Sequence, residues 1–291
     1  VSSNLEGYDI GLETVRAGGS ASQPDAERPY KPVPTSFEKT ISAYPEQLRD
    51  LLGHGFAKLL DYQDEAYASL YLERVNIVVD IDTHPSRKLT KEIIKRLAIW
   101  MSFEDIIRVA QLKTRPGRLN MIRQELGVDV HTPLKLTDYF KPGRDEFIGI
   151  LPPSLSWVVP KWNRLDRGKG LALHIPTGTI FGFTLLKFMA SLRFLRRSSS
   201  QYREEQNHIL NWLGAVKIAA ESDYDLACRT ARLSIWARGY GNVRQNGQSI
   251  LNNIFKDWQS KLATDMTKVS IEVDQSLLLA HSNPDAPEVI H

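Results

Sequence analysis

Cysteine is almost missing from this chain: Cys228 is the single one in 291 residues. No intrachain disulfide can form, and the chain cannot alone supply the roughly four thiolates of an iron–sulfur cluster. Such cysteine usage leads to the expectation of a reducing, cytoplasmic setting. Long apolar runs are absent too, none approaching the ~20 residues needed to cross a bilayer. Residues Val1 to Val15 lack the basic start and apolar centre of a signal peptide. Excess charge is small, at a formal +3, whereas dedicated nucleic-acid binders concentrate far more positive charge on one face. Motifs of cofactor chemistry are lacking as well. None of the seven histidines falls in an i, i+4 pair or a His-Glu-x-x-His motif. Pro176-Thr177-Gly178-Thr179 lacks the Gly-Lys-Ser/Thr end of a phosphate loop. Gly239-Tyr240-Gly241 with Gly247 has the wrong spacing for a dinucleotide fingerprint, and a helix precedes it where a strand is required.

What is there reads as helix. Hydrophobic residues at 42% and charged residues at 24% suit a soluble globular protein, and the length allows one large core or two modest ones. The fold class expected is mainly α, a bundle of roughly eight to ten helices with a proline-rich irregular middle and little or no sheet. Asn4 caps a short amphipathic stretch carrying Leu5, Tyr8, Leu12 and Val15 and closed by Gly18-Gly19. Residues 1–19 are therefore expected to be the last helix of a missing upstream domain, and a start at Val rather than Met suggests a piece of something longer. Residues 20–35, with Pro24, Pro29, Pro32 and Pro34, read as a linker. Residues 36–280 form the helical domain, and 281–291, with Asn283-Pro284 and Pro287, a flexible tail.

Within the domain, helical periodicity begins near Pro45 and predicts a helix to Leu60, continuing through Tyr62-Gln63 to about Glu73. Leu59, Gln63, Tyr67, Leu70 and Tyr71 share its inner face, where the Gln63 amide needs partners and would tie helices together. Thr90 opens a helix with Ile93, Ile94, Leu97 and Met101 inward. Ser102 is the expected N-cap of the next, with Asp105 at the capping-box position. Phe103, Ile106, Ile107 and Ala110 make that helix's buried stripe, and Glu104 and Arg108 form an i, i+4 pair. After Arg115-Pro116-Gly117 another helix runs from Arg118 to Leu126. Prolines break up residues 127–180, in which Leu171 to Ile175 is the one short strand candidate, without an evident partner. Leu185, Phe188, Met189, Leu192 and Leu195 form a strong stripe ending in Arg193, Arg196 and Arg197, basic residues that suit a helix C-terminus and solvent. Helices are also expected from Ser200 to Ala220, Asp223 to Arg238, and Val243 to Leu262.

No catalytic constellation and no metal-ligand set emerges. Cys228 reads as a small buried hydrophobe, Asp80-Ile81-Asp82 as a solvated loop, and Glu204-Glu205 and Asp64-Glu65 as helix surface. Gly239 is expected to end a helix with positive φ, and Gly241 to start the tight return. Such a corner clusters Arg238, Tyr240 and Arg244. With Gln63 and Tyr67, these are the candidates for contact with a ligand or partner subunit. A stand-alone protein-interaction scaffold also fits the composition. So does a weak anionic-ligand or RNA binder using Arg193, Arg196, Arg197 and Arg203.

Several segments together carry a resemblance: Asp61-Tyr62-Gln63-Asp64 with Ala66-Tyr67, Leu89-Thr90, Met101 to Lys113, Tyr202 and Glu205 before Trp212-Leu213, and Gly239-Tyr240-Gly241. With Asn4-Leu5-Glu6-Gly7-Tyr8 to Gly19 matching the end of a gamma-type domain, the chain resembles the C-terminal half of the beta subunit of indolepyruvate ferredoxin oxidoreductase. The resemblance implies a non-catalytic helical domain that supports assembly with an alpha subunit in a complex oxidatively decarboxylating arylpyruvates to acyl-CoA. It places thiamine diphosphate, magnesium and iron–sulfur clusters in that alpha subunit and no cofactor in this chain, which alone would be inactive. Self-association is a further partner expectation. Where the family often has Asp and Thr after Gly-Tyr-Gly, this sequence has Asn242-Val243-Arg244, and Asn cannot serve as acid or base.

Overall fold

The computed structural model describes residues 33–129, 131–132, 136–140, 148–149, 173–175, 178–239 and 241–282. The expected terminal helix 1–19, most of the linker, Tyr240, most of 127–180 and the tail from 283 lie outside the described residues. Among those described are twelve α-helices and two strands of three residues each, so the fold is mainly α. No described helix is long and apolar enough to cross a membrane.

Helical structure starts ahead of Pro45, with α1 (Thr35–Ser42) following Pro34 and entering the residues read as linker. Next come α2 (Glu46–Tyr62) and α3 (Glu65–Val79). The long helix expected through Gln63 is thus two. Gln63 leaves helical geometry, and Asp64 turns extended so that its carboxylate accepts the Tyr67 N–H at 2.8 Å. A short acidic side chain competing for backbone donors stops one helix and starts another. Asp64 is a cap rather than plain surface.

The turn after α3 corrects a second expectation. Asp82 is buried and accepts from Thr90 N at 2.9 Å, Thr90 Oγ1 at 2.7 Å and His84 N at 3.3 Å. It is no solvated loop residue; it satisfies a first-turn donor of α4 (Lys88–Met101), which begins before Thr90. At the far end of α4, Ser102 closes the helix, donating its hydroxyl to Ala98 O at 2.7 Å. Asp105, not Ser102, is the N-cap of α5 (Ile106–Lys113), accepting from Arg108 N at 2.6 Å. After Gly117, at φ 82°, comes α6 (Arg118–Glu125), which buries no side chain.

β1 (Asp138–Phe140) pairs antiparallel with β2 (Leu173–Ile175), Tyr139 opposite His174, giving the strand candidate the partner its sequence did not reveal. Then follow α7 (Ile180–Ser191) and a 3-10 turn, Leu192–Ser198. Only part of the stripe expected here turns inward, Met189, Leu192 and Leu195 being half-buried. Leu185 and Phe188 are exposed, while Leu186, backed by Met189 and Ala190, packs with Ala110 and Ile175 in a small separate cluster.

The C-terminal third is α8 (Ser200–Ser222), α9 (Tyr224–Arg232) with a 3-10 extension Leu233–Ala237, α10 (Gly241–Phe255), α11 (Trp258–Thr264) and α12 (Met266–Ser282). The helix expected from Val243 to Leu262 is broken at Asp257, which adopts a left-handed φ of 53°. No helix was expected where α12 lies, and it runs into the stretch read as tail. One core joins α1–α4 and α8–α12. Three of its large polar aromatics find backbone partners: Trp212 donates to Thr230 O at 3.2 Å, Trp258 to Ala215 O at 3.0 Å, and Tyr71 to Ile94 O at 3.1 Å. The buried Tyr62 hydroxyl has none.

Candidate functional site

The polar centre of the molecule joins Gln63, expected as a buried tie, and Asp105, expected in a cap, to Arg196, which the sequence assigned to solvent. Arg196, from the 3-10 turn after α7, is wholly buried. It donates from Nε and Nη2 to the two carboxylate oxygens of Asp105, at 2.6 and 3.0 Å. Its Nη1 donates to Tyr62 O and to Gln63 Oε1, both at 2.8 Å, and its guanidinium lies 4.0 Å from the centre of the Tyr62 ring. Gln63 completes the tie by donating to Arg193 O at 3.1 Å. Solvation of Arg196 at a helix end is therefore overturned: the α2–α3 break presents a carbonyl and an amide oxygen, and the Asp105 cap supplies the charge. Arg108, expected to pair with Glu104, instead donates to Asp61 at 2.9 Å, and Arg115 reaches the same carboxylate.

A second network lies across Phe103. Glu205 is buried and accepts from Trp100 Nε1 at 2.9 Å, Gln248 Nε2 at 2.8 Å and Arg244 Nε. Arg244 sits 5.2 Å from the Phe103 ring centre, which is itself 5.9 Å from that of Tyr62. Glu205 is thus no helix-surface residue, although Glu204 is exposed. A signal for this existed in the sequence, because Glu205 shares a helical stripe with Ile209 and Trp212. Arg196 likewise continues the spacing of Met189 and Leu192, whereas Asp105 was marked only as a capping residue.

Among the sequence candidates, Gln63 belongs to the first network and Arg244 to the second. Arg244 turns into the bundle toward Glu205. Arg238 is half-buried, and burial first, then the neighbouring Arg96, lowers its pKa. Tyr240 lies outside the described residues. Gly239 and Gly241 both have positive φ, 82° and 55°, the left-handed backbone that the corner demands and that glycine adopts without strain. Tyr67 donates to Met101 O at 2.8 Å and accepts from Gln206 at 3.3 Å. Burial pushes its pKa and that of Tyr62 well above the usual tyrosine range, so both hydroxyls stay protonated at neutral pH. Burial also raises Cys228, to about 11, which makes it a poor nucleophile.

No group of three or more His, Cys, Asp or Glu among the described residues could hold a metal ion. Paired carboxylate and guanidinium groups dominate the centre, tying α2, α5 and the 3-10 turn together in the first network and α4, α8 and α10 in the second.

The sequence matches a family of unknown function (DUF6537) over residues 48–257, a span that contains both networks and the Gly239–Gly241 corner. The chain belongs to that family. No curated protein and no solved structure matches it. Within this DUF6537 chain, α12 lies past the matched span, although Val269 and Val273 join the same core.

Proposed function

We propose that this DUF6537 chain is a non-catalytic helical module of an indolepyruvate-type 2-oxoacid:ferredoxin oxidoreductase, docking the thiamine-dependent alpha subunit. Thiamine diphosphate, magnesium and iron–sulfur clusters then reside in that subunit, and the setting is the cytoplasm.

The observation that supports the reading is the outer face of α7. Phe181, Leu185 and Phe188 recur at helical spacing and are exposed, Phe181 by 77% and Phe188 by 63%. Ile180 and Phe194 extend the patch at 89% and 68%. A contiguous apolar patch is characteristic of interaction surfaces, and aromatic side chains dominate binding energy at protein interfaces. The ion networks behind α7 lend rigidity, since Arg196 and Gln63 fasten the end of the α7 segment to α2 and α5.

The test is gel filtration of the full chain mixed with the alpha subunit. Wild type is expected to co-elute with it, and a Phe181→Asp, Phe188→Asp double variant to elute separately at an unchanged melting temperature. Separate elution of the wild type, or co-elution of the double variant, refutes the reading. The chain alone, given indolepyruvate, coenzyme A, thiamine diphosphate, magnesium and an electron acceptor, is expected to show no turnover.

A further inference from the structure

Four arginines are buried among the described residues: Arg74, Arg108, Arg196 and Arg244. Three of them meet a carboxylate, from Asp61, Asp105 and Glu205 respectively. Arg74 does not. It is only 5% exposed, and its Nε and Nη1 are withdrawn from solvent without any hydrogen-bond partner. Glu73, beside it in the chain, is exposed and contributes least among the groups acting on Arg74. An isolated buried cation is strongly unfavourable unless a counter-charge accompanies it.

The surroundings of Arg74 are specific. On α3 it stands two helical turns from Tyr67, and its guanidinium is within electrostatic reach of both Tyr67 and Tyr202. The rings of those two tyrosines are 5.8 Å apart. Gln206, one turn beyond Tyr202 on α8, donates from Nε2 to Tyr67 Oη and leaves its buried Oε1 without a donor. Arg74 thus carries unsatisfied donors and Gln206 an unsatisfied amide oxygen, and both interact with Tyr67, Arg74 electrostatically and Gln206 through its hydrogen bond. Water can meet the hydrogen-bonding demand but brings no negative charge.

We propose that Arg74, with Tyr202 and Gln206, forms a binding site for a small oxyanion of the carboxylate or phosphate class. The anion supplies the charge that Asp61, Asp105 and Glu205 supply to the other three arginines. The Tyr202 ring forms one wall, and the Gln206 amide oxygen accepts from a protonated ligand oxygen or a co-bound water. This inference is independent of the docking role of α7, because Arg74, Tyr202 and Gln206 belong to α3 and α8.

The test is thermal melting of the full chain in inorganic phosphate, in acetate and in chloride at matched ionic strength. Wild type is expected to melt about 5 °C higher with phosphate or acetate a hundredfold above its Kd than in chloride. Arg74→Met should lose this response, and Arg203→Met, which removes an exposed charge on α8, should keep it. If Arg74→Met does not fold, Gln206→Glu decides. It adds a carboxylate to the proposed site, so the melting temperature in chloride should rise and the anion response should vanish. No anion-specific rise in the wild type means water only and overturns the site. An equal rise in Arg74→Met, or in Gln206→Glu, overturns it as well. Which of phosphate and acetate acts at lower concentration identifies the class of ligand.

Discussion

α4 and α7 are both rich in apolar side chains, yet they use them in opposite ways. In α4, Leu89, Ile93, Ile94, Leu97, Trp100 and Met101 are all buried, and Lys91, Glu92, Lys95 and Arg96 form the other side. In α7 the apolar residues surround the helix, with Lys187 the one charged residue. Only Gly182 and Leu186 are buried there. A two-sided helix placed centrally in the bundle matches its environment, whereas a helix apolar all round ordinarily needs cover on every side. The bundle covers one side of α7. How much apolar surface a helix carries does not decide where it lies; the polar face opposite it and the contacts its neighbours offer do.

The largest expected effect falls on the central region. Asp105→Ala strands Arg196 in the interior and uncaps α5, and breaking a buried pair in this way costs about 3–5 kcal/mol. Urea unfolding should reveal it, and a loss below about 1 kcal/mol would show that Arg196 has another route to solvent.

A smaller loss is expected where backbones approach closely. A Cβ on Gly247 would overlap the carbonyl oxygen of Trp236, so α10 cannot keep its place against the 3-10 extension of α9. Gly247→Ala should destabilise by about 1–3 kcal/mol despite alanine's better helix propensity. An unchanged or higher denaturation midpoint would mean that this contact is loose.

Tyr71→Phe tests the core one hydrogen bond at a time. The hydroxyl donated to Ile94 O is buried, and removing it is expected to cost about 1 kcal/mol. Phe188→Asp marks the other end of the comparison. On the open face of α7 it should alter stability by no more than about 0.5 kcal/mol. A loss approaching that of Asp105→Ala would show that α7 is enclosed and that its outer face is no docking surface.

Much of the helical framework was legible before any coordinates, because period and apolar spacing identify a helix whose face is buried. Ile93, Ile94, Leu97 and Met101 are buried as their spacing predicts, as are Ile106, Ile107 and Ala110. The errors cluster at helix ends. Whether Ser102 or Asp105 caps α5, and whether Gln63 continues a helix or breaks it, depends on which side chain reaches which free N–H. Spacing leaves that open. The candidate site was legible only in part. Gln63 was readable as a buried tie because it fell on an apolar face, whereas Arg196 follows a solvent-facing Arg193 and precedes an exposed Arg197. Its burial depends on a carboxylate ninety-one positions away in the chain.

The sequence by itself determined that this protein is a bundle of helices, which residues most of those helices turn inward, and that Gly239 and Gly241 make a corner, since these follow from local geometry and periodic burial. Only the tertiary structure decided that Asp82 and Glu205 lie inside, that Arg196 finds Asp105, that Arg74 is left without a carboxylate, and that α7 keeps an open face. Each of these depends on groups far apart in the chain, and a charged side chain enters the interior only when another part of the fold brings a partner to meet it.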